Sequence, residues 1–260
     1  MIRGVWTRET VALLLIAAWM PLVLFWLWFG GGEALGRLGL VALILAFWHL
    51  LFLLARAQPV SLAALLTALA IAMLAPEGLG AFRLALGVSF GAVMGELVFG
   101  GWGRNVVNPA TVALSFLGFG FPGLPWPEVL APVTWAALPV AALGIGFGVM
   151  PAGVILGASL TAAALAALDL GDPAFLPAAA VVLVLLVADP VVSAVTPLGR
   201  WLNGAVFGGL VTLFADGWAG AAPVQTAVAA ALLASLAAPL LDEIALALWH
   251  GNRRRRHGRA

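Results

Sequence analysis

From Thr10 almost to its basic tail the sequence is a succession of apolar runs, each near the length of about 20 residues that a helix needs to cross the hydrocarbon layer. In lipid every backbone N–H and C=O must find its partner inside the protein, and helices meet that demand residue by residue. Composition agrees, with 64% of residues hydrophobic and 9% charged, against roughly 25% charged in a soluble domain. We therefore expect an all-α integral membrane protein: a single transmembrane domain over residues 1–260, with no room for a separate soluble domain.

Cysteine is absent, which excludes disulfides and thiolate ligands for zinc or iron–sulfur centres. No Walker A motif, no H-E-x-x-H and no metal-ligand spacing occurs, so nothing points to an ATPase, a protease, a metal site or a nucleic-acid partner. Arg3 and Arg8 precede an apolar stretch that resembles a signal peptide. Thr10 to Phe29 is long for one, and no small-x-small cleavage site follows, so it reads as a retained first helix.

Apolar runs between charged or Gly/Pro-rich breaks predict about ten helices: 10–29, 38–55, 60–75, 83–99, 109–121, 133–149, 151–168, 174–188, 201–215 and 224–249. Both termini are arginine-rich, so the positive-inside rule puts both in the cytoplasm of a bacterial inner membrane and requires an even number of crossings. Arg253 to Arg256 and Arg259 form a basic tail over 250–260, suited to anionic lipid headgroups and to fixing orientation. The rule leaves Arg37 and Arg83 as exceptions on the outer side. Tryptophans such as Trp6, Trp26, Trp28, Trp126 and Trp218 fall at span ends, as interfacial anchors do.

An internal repeat runs through the chain. RLALGVSFG (Arg83 to Gly91) and RWLNGAVFG (Arg200 to Gly208) share R-x-x-x-G-x-x-F-G. Each follows a helix ending in x-Pro, at Ala75-Pro76 and Asp189-Pro190, and each runs on to a Gly-Trp pair, Gly101-Trp102 and Gly217-Trp218. Five helices per copy is an odd number, so the second copy, about 129–249, enters the membrane inverted relative to the first, about 1–128. Such folds place their sites where the repeats meet, beside discontinuous helices.

One discontinuity stands out in GGWGRNVVNPATVALSFLGFG, Gly100 to Gly120. A glycine-rich break is followed by Asn108 as an N-cap and Pro109 at the first helical position, where its missing N–H costs nothing. A half-helix starting inside the protein directs unpaired N–H groups at its surroundings, a seat for phosphate, carboxylate or a polar ring edge. With Asn105, Asn108 and Thr111 beside it the break is a candidate cofactor site; a re-entrant hinge that only lets helices pack reads equally well.

Several separated segments resemble one family: ALLTALAIAMLAP (Ala64 to Pro76), VFGGWGRNVVNPATVALSFLGFGFP (Val98 to Pro122), ADPVVSAVTPLGRWLNGAVFGGL (Ala188 to Leu210) and APLLDEIA (Ala238 to Ala245). The family is the membrane D subunit of the Rnf complex and the B subunit of the sodium-translocating NADH:quinone oxidoreductase. The resemblance implies a ten-helix inverted-repeat subunit of a redox-driven Na⁺ or H⁺ pump, with flavin near the outer surface. It further implies FMN esterified to a threonine in D-x-x-S-G-A-T. No S-G-A-T occurs in this chain; the nearest segment by order is Ala131-Pro132-Val133-Thr134, so only Thr134 would survive. The region that follows the flavin motif in the family is represented only by Pro151 to Leu160.

An ionisable residue within a span costs at least about 2.5–3.5 kcal/mol on insertion scales, so Glu96 and His49 need reasons. Glu96 is a candidate carboxylate of an ion path; His49 reads either as a titrating partner or, by preference, as a side chain snorkelling to the interface. Asp189 would attract a cation or cap the following turn. Arg200 could clamp Asp189 or a flavin phosphate, or serve as a positive-inside anchor. Of Asp242 and Glu243, one is expected to face Arg104 or Arg200 in a buried pair.

The function expected is a membrane subunit of a redox-driven, ion-translocating electron transport complex that binds FMN or another flavin. Its partners would be other membrane and peripheral subunits, lipid and, as an electron carrier, quinone. A solute channel or transporter on the same inverted-repeat fold, or a flavin-free scaffold subunit, are the alternatives.

Overall fold

The computed structural model describes residues 7–257, which are helical or connecting, with no strand among them. Arg3, Trp6 and Arg259, and the side chains of Arg254, Arg255 and Arg256, lie outside the described residues, and with them most of the basic side chains of the tail. The helices are α1 (Arg8–Arg56), α2 (Ala63–Leu74), α3 (Gly80–Gly95), α4 (Pro109–Gly120), α5 (Ala131–Gly146), α6 (Ala152–Ala166), α7 (Leu176–Val182), α8 (Pro197–Gly217) and α9 (Pro223–His257). Among the described residues four are long and apolar enough to cross a membrane, α1, α3 with its following turn, α8 and α9; the others are apolar but shorter.

The first two expected helices are joined in α1, whose 49 residues would reach roughly 70 Å if straight, more than twice the hydrocarbon thickness. Gly31 breaks it, at φ 53° and ψ −137°, a conformation that only glycine adopts without strain. The two arms fold back there. Glu9, at the start of the first arm, accepts hydrogen bonds from Ser61 Oγ and from the Leu62 N–H, both at 2.9 Å, just past the end of the second arm. Arg8 and Arg56 consequently line one cavity, while Phe29, Gly30 and Glu33 line another at the opposite end. These are the Arg8 end and the Gly31 end of the molecule.

Small residues set the helix spacing. A methyl on Gly91 of α3 would lie 2.6 Å from the Pro109 carbonyl, and one on Gly95 would lie 2.9 Å from Pro109 Cα, so α4 rests directly on the α3 backbone. In α8, Gly204 and Gly208 bring the helix onto Val154 and Ala158 of α6. The glycines that the repeat aligns, Gly87 with Gly204 and Gly91 with Gly208, thus serve different seams: α3 on α4 in one case, α8 on α6 in the other.

Two helices end in irregular backbone. After α3, the chain makes a short 3₁₀ turn, Leu97–Phe99, then runs through Gly100, Gly101 and Gly103, all with φ between 91° and 99°. After α7 a π turn, Leu183–Val187, leads to the Asp189-Pro190 break. Each break is followed by a capped helix with proline at its first position. Asn108 accepts from the Ala110 N–H at 2.9 Å before α4, and Thr196 accepts from the Gly199 N–H at 3.0 Å before α8. The charge-rule exceptions have internal work: Arg37 donates to the carbonyls of Ala75 and Pro76 at the end of α2, and Arg83 lies over the Phe121 ring at 5.4 Å.

Candidate functional site

The two breaks meet. Asn108 Nδ2 donates to Asp189 Oδ2 at 2.8 Å, across 81 residues of sequence, and the other Asp189 oxygen accepts the Val191 N–H at 2.8 Å. Both side chains are buried. At the start of α4 the Ala110 N–H is taken by the Asn108 amide oxygen, and the other end of the same side chain holds the Asp189 carboxylate.

Glu96 lies beside this junction at 1% exposure, and His49 at 4%. Glu96 Oε1 accepts the Trp102 N–H at 3.1 Å and stands 4.0 Å from His49 Nε2, the one approach of ion-pair length among the described residues. The interface-snorkelling expectation for His49 is overturned, because its ring is buried and its Nε2 has no hydrogen-bond partner. Val41, Leu45 and His49 follow one another at four-residue spacing and are all buried, so His49 continues the inward face of its helix, a face that a run apolar all round does not mark in the sequence.

The glycine turn is tied down around the pair. Asn105 Oδ1 accepts from the Gly103 N–H at 3.1 Å while its Nδ2 donates to the Val107 carbonyl at 3.2 Å. Gln58, with its amide oriented to satisfy both neighbours, accepts the Gly101 N–H at 2.7 Å. Thr111, in the first turn of α4, is fully buried and its Oγ1 has no partner. On the Arg8 side, a cavity of about 380 Å³ is lined by Arg8, Glu9, Arg56, Ser61, Arg104 and Glu96 among others.

Arg200 and Asp242 lie elsewhere than expected. Arg200 Nε donates to the Ala194 carbonyl at 3.2 Å, and it forms no ion pair with Asp189 within 4 Å. Asp242 makes no ion pair with Arg104 or Arg200 within 4 Å; it accepts the Val195 and Thr196 N–H groups, each at 2.8 Å, and the Thr196 hydroxyl at 2.5 Å. Its carboxylate latches the second break to α9. Glu243 is exposed. Trp126, expected as an interfacial anchor, is buried at 7% exposure and would meet a methyl placed on Gly118.

A second cavity, about 650 Å³, opens at the Gly31 end between Trp26, Phe29, Leu40, Leu84, Leu130 and Val133. Its apolar walls fit a flat ring system. They do not fit a phosphate ester: Glu33, Glu77 and Glu128 line it, and its one arginine, Arg37, is engaged by the carbonyls of Ala75 and Pro76. Thr134 sits in the first turn of α5, its hydroxyl donating to the Leu130 carbonyl at 3.3 Å, and it is not on the cavity wall.

The NQR2, RnfD, RnfE family model matches residues 2–144, just over half of the chain. Three relatives are each named as the B subunit of a Na(+)-translocating NADH-quinone reductase. The protein from Stutzerimonas stutzeri is 34% identical over 105 residues, covering 39% of this chain and 25% of its own length. That from Azotobacter vinelandii is 35% identical over 113 residues, 42% and 28%. That from Klebsiella pneumoniae is 33% identical over 97 residues, 37% and 23%. The matched stretch spans about a quarter of the length of these relatives.

Proposed function

The chain belongs to the NQR2, RnfD, RnfE family, and from that premise we propose that it is a membrane subunit of a redox-driven, ion-translocating electron transport complex. The observation that carries the proposal is the Asn108–Asp189 hydrogen bond joining two broken helices, with Glu96 buried beside it. Ionisable groups at this depth are costly, and their placement where two helices are interrupted is the arrangement by which transporters expose a site to ions. Relatives named as subunits of a Na⁺-translocating reductase support the ion and redox halves of the reading.

In this proposal the chain forms one transmembrane domain of ten crossings, the two arms of α1 counting separately, with repeats of about 1–128 and 129–249 inverted relative to each other. The Arg8 end faces the cytoplasm, where its arginines satisfy the charge rule. Glu96 and Asp189 line the ion path; Asn105, Asn108 and Thr111 hold the first break in shape; Asp242 and Arg200 hold the second. Electrons arrive and leave through partner subunits or quinone, since the chain carries no thiolate ligands. A flavin in the outer cavity would be held by its ring; the surroundings of Thr134 do not fit covalent FMN.

The test is reconstitution with the partner subunits in vesicles, with cation uptake driven by a reduced electron donor. Asp189→Asn and Glu96→Gln are expected to lower uptake at least tenfold with the complex still assembled. Cation or solute flux through the chain alone, with no donor, would overturn the proposal in favour of a channel.

A further inference from the structure

We infer that His49 and Glu96 form a proton-binding site loaded from the cavity at the Arg8 end. The inference rests on the proposed ion path for its place in transport, while the site itself stands on its own geometry and is testable without turnover.

Two observations and one electrostatic argument converge on it. Glu96 is all but inaccessible, yet it also lines the 380 Å³ cavity walled by Arg8, Arg56, Gln58 and Arg104, so this residue stands between the cavity and the interior. His49 Nε2 is buried without a partner, 4.0 Å from Glu96 Oε1, so an imidazole nitrogen that could hold or release a proton faces the one group able to exchange it. With no proton, the pair leaves a buried negative charge uncompensated. With one proton, on either partner, it has no net charge, which is the state a low-dielectric interior favours.

The surroundings favour a proton over a metal cation. Hard cations are held by several oxygen ligands, whereas this pair offers one carboxylate and a nitrogen. Among the described residues no group of three His, Cys, Asp or Glu side chains is placed to hold a metal. The charged neighbours are Asp189, on the break after α7, and Arg8, Glu9, Arg56 and Arg104 around the cavity. Asp189 is held by Asn108 and the Val191 N–H, and Glu9 by Ser61 and Leu62, which leaves Glu96 and His49 to exchange the proton. Loading breaks an O–H bond of a hydronium ion in the cavity and forms an O–H bond on Glu96 or an N–H bond on His49, leaving water behind; unloading is the reverse.

The experiment is an infrared pH titration of the full chain purified in lipid nanodiscs. A carboxylic-acid C=O band that shifts in D₂O should grow as pH falls, persist in Asp189→Asn and vanish in Glu96→Gln, whose amide oxygen still accepts the Trp102 N–H. In His49→Gln, the midpoint of that band should be displaced by about tenfold or more in proton concentration. Exchanging Na⁺ for K⁺ at fixed pH should leave the band unchanged. A midpoint indifferent to His49→Gln, a band lost in Asp189→Asn, or a band that responds to Na⁺ would each overturn the inference. If Glu96→Gln fails to fold, His49→Gln and the cation exchange still decide. Failure of donor-driven uptake with an intact titration would instead remove the transport proposal and leave the proton site standing.

Discussion

Asn108 does two jobs with one side chain: its oxygen caps α4 and its amide nitrogen donates a hydrogen bond to one oxygen of a buried carboxyl group. Asn108→Ala removes both. The lost cap costs about 0.5–2 kcal/mol, and the unpaired Asp189 oxygen about 1–3 kcal/mol more, so thermal unfolding in detergent should shift clearly downward, further than for Asn105→Ala, which removes only a turn staple. Glycines make a sharper contrast. Gly204→Ala drives a methyl into the backbone of α6, whereas Gly209, five residues on, has nothing within 4 Å of the corresponding position. The first change should destabilise by roughly 1–3 kcal/mol, and the second should stabilise slightly through helix propensity, by at most about 1 kcal/mol. Equal melting temperatures for the two variants would contradict the close approach of α8 to α6.

Among the elements, the helix boundaries and the breaks between them are legible in the sequence because they rest on local chemistry. Asn before Pro at 108–109 and Asp before Pro at 189–190 restrict the backbone, and three glycines at 100, 101 and 103 permit positive φ, all without reference to anything distant. What meets what is not legible. A helix that is apolar all round carries no stripe to say which face turns inward, so the meeting of Asn108 with Asp189, the inward turn of His49 and the hold of α9 on the second break depend on packing alone. Asp242 illustrates the last. A carboxylate near a basic tail is naturally assigned an arginine partner, yet this one accepts two backbone N–H groups and a hydroxyl from 195–196. Hydrogen bonds to a charged group are worth about 1.5–3 kcal/mol each and do not simply add. Asp242→Ala is therefore expected to raise amide exchange in residues 195–199 at least tenfold while α6 keeps its protection. Unchanged exchange there would mean that the break is held by Arg200 and the Thr196 cap alone.

For the whole molecule the decisive question is how many times the chain crosses, because inversion of the repeats needs an odd number of crossings in the first copy, and the ten-crossing arrangement needs five, of which α1 must supply two. The energetics favour a hairpin: a 49-residue apolar helix left straight would project far beyond any bilayer, whereas bending at Gly31 returns Arg56 to the side of Arg8 and lets Glu9 cap the turn before α2. The absence of cysteine from the chain makes this directly measurable, since single cysteines can be introduced without a background. Glu33→Cys and Glu128→Cys, both exposed and both on the cavity at the Gly31 end, should react with a membrane-impermeant maleimide from one side of sealed vesicles. Pro59→Cys, exposed beside the Arg8 cavity, should react only from the other. The proposed orientation further requires that the first pair be labelled in intact spheroplasts and the third only after lysis. Labelling of Glu33→Cys and Pro59→Cys from one side and of Glu128→Cys from the other would make α1 a surface hairpin and leave the first copy with three crossings, those of α2, α3 and α4. That number is still odd, so inversion could survive, but the ten-crossing arrangement and the placement of Glu96 between an aqueous cavity and the membrane interior could not.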